Sequence, residues 1–280
     1  MPAIITTIII LGVTGVVGAV LLYFVSRRFR VDEDPRVESI AALMPGANCG
    51  GCGLKGCRDF ACACVAAGRL DGLYCPVGGD AVMKTIAGIL GTDAAASEQR
   101  IAVVRCAGSC SARPRMYIYQ GPRSCAVEAA AGAGTTGCAY GCLGCGDCTD
   151  VCQFGAIVID PATGLPAVDP ARCTACGKCV GACPRGLIEL RGRGRRDRRV
   201  WVACSSRARG AVARKACSAA CIGCGKCART CPFGAITVTD NLARIDASLC
   251  RACGKCIGVC PTGAVKATFT MPKPVVNENV

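Results

Sequence analysis

One cysteine spacing, written four times, limits what this chain can fold into. It reads Cys142-x2-Cys145-x2-Cys148-x3-Cys152, Cys173-x2-Cys176-x2-Cys179-x3-Cys183, Cys221-x2-Cys224-x2-Cys227-x3-Cys231 and Cys250-x2-Cys253-x2-Cys256-x3-Cys260. Proline follows the last three runs, as Pro184, Pro232 and Pro261. At this spacing three thiolates cap one face of a [4Fe–4S] cube and the fourth reaches to a neighbouring cube. A short loop cannot wrap the far corner itself. The runs therefore predict two modules of two cubes each. In the first, Cys142, Cys145 and Cys148 share a cube with Cys183, and Cys173, Cys176 and Cys179 share one with Cys152. In the second, Cys221, Cys224 and Cys227 pair with Cys260, and Cys250, Cys253 and Cys256 with Cys231. The fourth cysteine of each run is expected at a helix start.

Other chemistries fit poorly. The chain has 28 cysteines in 280 residues and no histidine. Disulfide scaffolds of that cysteine density are short secreted chains. Zinc favours paired Cys-x2-Cys units, often with histidine. Without histidine, Rieske ligation and histidine-ligated haem are excluded. No nucleophile–base pair can be assembled, and no Gly-x-Gly-x-x-Gly follows an expected strand, so neither a catalytic site nor a flavin or nicotinamide site is expected. The chain reads as an electron conductor. Thiolate-held cubes need a reducing compartment, which places the modules in the cytoplasm.

Residues 3–25, AIITTIIILGVTGVVGAVLLYFV, carry no charge. Twenty-three such residues exceed the roughly 20 needed to cross a bilayer as a helix. Arg27, Arg28 and Arg30 follow, and only Met1 and Pro2 precede. The positive-inside rule then sets the N-terminus outside and the rest in the cytoplasm, a single span in the lipid of the inner membrane. A cleaved signal peptide would need a charged n-region and a small-residue cleavage site, and neither is present. Gly12, Gly15 and Gly18 recur every third residue. Such a stripe lets another helix approach closely, although glycine is also frequent in membrane helices generally.

Beyond an acidic, helix-compatible stretch comes a different layout, Cys49-x2-Cys52-x4-Cys57-x17-Cys75. Its glycines permit a tight wrap around a cube. The alanine-rich stretch from Arg58 to Leu70 is expected to be helical and to return the chain so that Cys75 arrives. Cys62 and Cys64, two apart on that helix, do not share a face and are read as small buried core residues.

The segment ALMPGANCGGCGLKGC, the later YCPVGG, the preceding apolar helix and the downstream cysteine runs together resemble the B subunits of the Rnf complex, the ion-translocating ferredoxin:NAD oxidoreductase. The resemblance covers nearly the whole chain. It implies that Cys49, Cys52, Cys57 and Cys75 hold a near-membrane [4Fe–4S] cluster. It also implies a protein that accepts electrons from reduced ferredoxin and passes them to membrane and flavoprotein subunits. Short members of the family carry one ferredoxin module; this chain, with two, is similar to the longer forms. Two other readings stand beside it: a polyferredoxin wire of another membrane redox enzyme, and a reducing system for an iron–sulfur regulator.

The modules are copies. Cys125, Cys138, Cys142, Cys145, Cys148 and Cys152 recur at an offset of 79 as Cys204, Cys217, Cys221, Cys224, Cys227 and Cys231. Each module is expected to be a βαββαβ-like ferredoxin unit, with strands around 156–160, 167–169, 236–239 and 243–246. Units this small bury little apolar surface, so the cubes themselves are expected to serve as core. Gln153 stands where the other runs have proline, which is expected to alter shielding of that cluster. The expected class is α+β: an anchor (1–30), a near-membrane cluster domain (31–100), a connector (101–137), ferredoxin module 1 (138–190), a basic linker (191–216), module 2 (217–270) and a tail (271–280). Five cubes are expected from twenty cysteines. A sixth is drawn first from Cys106, Cys110, Cys125 and Cys138, with Cys125, Cys138, Cys204 and Cys217 as the alternative grouping and buried free thiols as a third.

The formal charge of +14 counts thiols as neutral. Each oxidised cube with four thiolates carries about −2, so five bring the net to roughly +4. What remains gathers in Arg191, Arg193, Arg195, Arg196, Arg198 and Arg199. With few aromatics for stacking, nucleic acid is not the expected partner. The run is either a solvated linker or a surface that steers an acidic ferredoxin.

Overall fold

The computed structural model describes residues 2–28, 34–94, 98–132 and 134–270; Arg30 and the tail 271–280 lie outside them. Its first element is one long helix, α1 (Pro2–Arg28), apolar until Arg27 and Arg28 in its last turn. Ile4–Arg28 is long and apolar enough to cross a membrane. Its side chains point outward all round, Leu22 at 71% exposure among them, as lipid contact requires. The Thr14 hydroxyl donates back to the Ile10 carbonyl at 2.9 Å, leaving no unmet donor in apolar surroundings. A Cβ added at Gly12, Gly15 or Gly18 would meet nothing, so the stripe is uncovered by the described chain.

Three helices form the near-membrane unit: α2 (Pro35–Leu43), α3 (Cys57–Ala67) and α4 (Gly79–Leu90). The start of α2 is fixed by Asp34, whose carboxylate accepts the Arg36 N–H, and by Pro35 in the first turn. At its other end α3 stops at Gly68 in the left-handed region, φ 61°. Ile40, Phe60, Cys64 and Ile86 lie at the centre of the core these helices share. Cys64 is buried but Cys62 is exposed. The core reading of Cys62 is thus corrected: the α3 stripe of Phe60, Ala61 and Cys64 faces inward, and a residue two positions before Cys64 points away.

The rest is two α+β modules with the same plan. Module 1 runs β1 (Arg100–Val104), α5 (Cys125–Ala131), α6 (Asp147–Asp150), β2 (Ile157–Asp160), β3 (Leu165–Val168), α7 (Lys178–Ala182) and β4 (Ile188–Gly192). Module 2 runs β5 (Val200–Val202), α8 (Gly210–Ala216), α9 (Lys226–Thr230), β6 (Ile236–Thr239), β7 (Leu242–Ile245), α10 (Lys255–Gly258) and β8 (Val265–Ala267). In each, the inner strands form a hairpin and the first strand pairs antiparallel with the last. Ala102 faces Leu190 across β1–β4, and Trp201 faces Lys266 across β5–β8. The inner hairpins fall within one or two residues of expectation. The outer first strands come from stretches read as connector and linker.

The fourth cysteine of each run corrects another expectation. Cys183 and Cys231 do not start helices; they are the C-caps of α7 and α9, in extended conformation. Pro184 and Pro232 reinforce this, because proline disfavours helix at the residue before it. A glycine turn follows and leads straight into a strand. At Gln153, where proline is missing, the same turn closes, with Gly155 N–H on Cys152 O at 3.1 Å.

The modules are fastened to each other. Trp201 donates its indole N–H to Val104 O at 3.1 Å, and Ala107 N–H reaches Ala203 O at 2.8 Å. Arg191 ties β4 to module 2 through the carbonyls of Val200 and Ile245. The near-membrane unit closes on module 1 where Gly51 lies against Cys176. A Cβ there would stand 2.9 Å from the Cys176 Cα, so any side chain would push the two apart.

Candidate metal centres

The second cysteine of every run is flanked by two residues of positive φ: Gly144 and Gly146, Ala175 and Gly177, Gly223 and Gly225, Ala252 and Gly254. Alternating signs of φ turn successive N–H groups inward and make an anion-binding concavity. A cube with four thiolates is an anion of about −2, so the loops suit it. Ala175 and Ala252 hold a conformation that costs an L-residue roughly 1–2 kcal/mol. They persist in it because the surrounding loop requires it.

The folded chain brings the cysteines together across runs. Cys179 stands within electrostatic reach of Cys173, Cys176 and Cys152. Cys227 faces Cys221, Cys260 and Cys224. Cys148 faces Cys142 and Cys183, and Cys256 faces Cys250 and Cys253. Near the membrane, Cys75 faces Cys49 and Cys52. None of the 28 cysteines is in a disulfide. Among the described residues, no three His, Cys, Asp or Glu side chains converge tightly enough to grip a single ion. The donor set is all sulfur, as a [4Fe–4S] cube requires.

Burial first, then crowding by Cys106 and other thiols, pushes the Cys142 thiol up to about 12. Burial with Cys173 beside it pushes Cys179 up to about 11. Such thiols must lose protons to bind iron, which couples metal binding to proton release. Backbone amides favour the thiolate: Gly78 N–H points at Cys75 Sγ (3.3 Å), Ala156 N–H at Cys152 Sγ (3.3 Å) and Leu187 N–H at Cys183 Sγ (3.4 Å). At Cys260 burial opposes ionisation, but the amides of Val265, Thr262 and Ala264 and the Thr262 hydroxyl together hold the thiol below its ordinary value.

Several site residues carry no signal in the cysteine spacing. Asn48 accepts the Cys57 N–H on its side-chain oxygen at 2.8 Å and so closes the near-membrane loop. Gly56 is obligatory beneath it, because a Cβ there would lie 2.8 Å from that oxygen. Glu128 is 5% exposed and accepts from Cys145 Sγ at 3.0 Å and Thr135 N at 3.2 Å. Burial, then this carboxylate, raises the Cys145 thiol above its ordinary value.

The grouping Cys106, Cys110, Cys125 and Cys138 is not gathered. Cys110 is exposed and lies against Gly164 in the β2–β3 turn. Cys125 opens α5 beside Cys145, pinned there by Asp147, which accepts its N–H at 2.7 Å.

The arginine run is divided. Arg199 is 7% exposed and paired with Asp197 at 3.1 Å. Arg193 bonds the Pro170 carbonyl, and Arg198 bonds Ala252 O and lies 3.9 Å over the Phe269 ring. These hold the chain together. Arg195 and Arg196 are exposed. They line a cleft of about 1060 Å³ whose wall includes Arg251, Cys250 and Cys253.

A family model for the 4Fe-4S dicluster domain matches residues 141–209 and 220–264. The chain is 45% identical over 246 residues to the B subunit of the Na(+)-translocating ferredoxin:NAD(+) oxidoreductase complex of Acetobacterium woodii, covering 88% of this chain and 72% of that protein. It is 41% identical to the B subunit of the ion-translocating oxidoreductase complex of Methanosarcina acetivorans, covering 86% and 90%. It is 38% identical to the B subunit of the proton-translocating ferredoxin:NAD(+) oxidoreductase complex of Clostridium ljungdahlii, covering 89% and 86%.

Proposed function

This chain belongs to the B subunits of ion-translocating ferredoxin:NAD oxidoreductase complexes, and on that premise we propose that it accepts electrons from reduced ferredoxin and relays them to membrane and flavoprotein subunits. The observation that carries this reading is the order in which cysteine sets adjoin. The Cys49 set follows the span, and Cys52 and Cys173 line one cleft of about 570 Å³. Cys179 of the next set lies within reach of Cys148 of the set after it. Module 2 is fastened to module 1 through Trp201 and Arg191. When bound, each cube supplies a one-electron centre. The chain's own work is to hold five such sets in sequence.

We assign entry to the basic cleft of module 2, which shares Glu98, Arg100 and Leu190 with the Cys52–Cys173 cleft. The basic cleft exposes Arg195, Arg196 and Arg251 beside Cys250 and Cys253, where an acidic protein would be steered toward a centre. Charge reversal of both exposed arginines, Arg195→Glu with Arg196→Glu, should slow reduction by ferredoxin about tenfold at low salt and flatten its salt dependence. Stopped-flow bleaching of the anaerobic chain across a salt series reads both. Unchanged rates in this variant would move the input elsewhere.

The cytoplasmic placement of the modules follows from Arg27 and Arg28 at the end of α1. A reporter fused after Arg30 should therefore read cytoplasmic, and deletion of residues 1–26 should release a soluble brown protein. A periplasmic signal at that fusion would defeat the orientation, and with it the supply of reduced ferredoxin.

A further inference from the structure

Four cysteines outside the five sets stand at the seam between the modules. Cys106 follows β1 by two residues as Cys204 follows β5. Cys138 precedes Cys142 by the interval at which Cys217 precedes Cys221. They are two structurally matched pairs, one from each module.

The seam brings the pairs together. Ala107, next to Cys106, bonds Ala203, next to Cys204, at 2.8 Å. Gly137, next to Cys138, faces Ala216, next to Cys217; a Cβ on it would lie 3.8 Å from the Ala216 Cα. A Cβ on Gly108 would lie 3.2 Å from Cys217 Sγ. Cys217 is within electrostatic reach of Cys106 and Cys138, and Cys204 of Cys138. Cys204 and Cys217 are buried and the other two half-buried.

An independent observation lies beside them. Arg113 is 8% exposed. Its terminal nitrogens are satisfied by Thr136 Oγ1 and Cys142 O, but Nε has no partner among the described residues. That N–H stands 3.1 Å from the same point above Gly108 that lies 3.2 Å from Cys217 Sγ. A buried donor left unmet costs about 1–3 kcal/mol, and a sulfur-rich anion among these thiols would accept it.

We propose that Cys106, Cys138, Cys204 and Cys217 hold a sixth [4Fe–4S] cube that bridges the two modules. It stands where a bridge is needed. Cys142 N–H points at Cys106 Sγ (3.5 Å) on one side, and Cys204 lies beside Cys221 on the other. The bridging role rests on the relay reading above; the ligation does not. Tunnelling falls steeply with distance, so a centre at the seam joins two wires into one.

The test uses the full chain, purified anaerobically, with iodoacetamide labelling read site by site by mass spectrometry beside metal analysis. The chain should carry about 24 irons, one cube more than the five sets supply. All four seam thiols should resist labelling, and all should react once iron is chelated, while Cys62 and Cys110 react throughout. Cys106→Ser and Cys217→Ser should each remove about four irons, and the double variant the same about four, because one cube is lost in every case. Seam thiols that react in a chain holding about 20 irons would overturn the sixth cube and leave the five sets standing. Stoichiometric zinc would overturn it too. Reactive run cysteines, with iron far below about 20, would overturn the five sets and the bridge together.

Discussion

Cys52→Ser is expected to abolish ferredoxin-dependent NAD reduction by the assembled complex while ferredoxin still reduces the module centres. The near-membrane set adjoins module 1 across the cleft that Cys52 and Cys173 line. There Gly51 touches the Cys176 loop so closely that no side chain fits between them. Serine in place of a thiolate weakens or empties that set. The loss should exceed the roughly 10–100-fold that changes around a metal site bring. Bleaching of the module centres by ferredoxin should keep its wild-type rate, because the changed residue lies beyond them. A variant complex that still reduces NAD, or one in which ferredoxin no longer reduces the modules, would mean that electrons follow another order.

Iron removal should unfold the modules and spare the near-membrane helices. In module 1 the buried cluster is Ala102, Cys148, Ile157 and Ile188, and one of those four is itself a candidate ligand. Two-stranded sheets are marginal alone, and fixing a residue's backbone costs about 1–2 kcal/mol against about 1.5–3 gained per buried isoleucine. Module 2 has Val200, Ile236, Leu242 and Val265 inside, yet Cys221, Cys227 and Cys256 complete that core. The core of α2, α3 and α4 also takes in a candidate ligand, Cys75, but Ile40, Phe60, Met83 and Ile86 pack beside it and supply most of its apolar volume. Hydrogen exchange on the chelated chain should show amides of β1–β8 unprotected and those of α3 and α4 protected. Protected strands in iron-free chain would mean that metal binding is not what folds the modules.

Much of this was legible because iron imposes its own period. The spacing of the runs placed the inner hairpins, and the fold leaves Cys173, Cys176 and Cys152 within electrostatic reach of Cys179. The outer strands were not legible. β1 pairs with β4 some ninety residues on, and β5 is three residues long; neither carries a turn signal or a sustained alternation. The arginine run misled in part, since charge alone does not tell Arg195, which is exposed, from Arg199, which is buried on Asp197. Cys62 and Cys64 looked alike until the α3 face was known. The seam was hidden for a subtler reason. The offset of 79 matches Cys204 to Cys125, whereas the fold matches it to Cys106, because the distance from the first strand to the run differs between modules.

Iron content tests the five-set reading most directly. Full-length chain purified without oxygen should contain at least about 20 iron atoms, with acid-labile sulfide in equal number, from the five cysteine sets. Fewer than about 16, with zinc in stoichiometric amount, would contradict it.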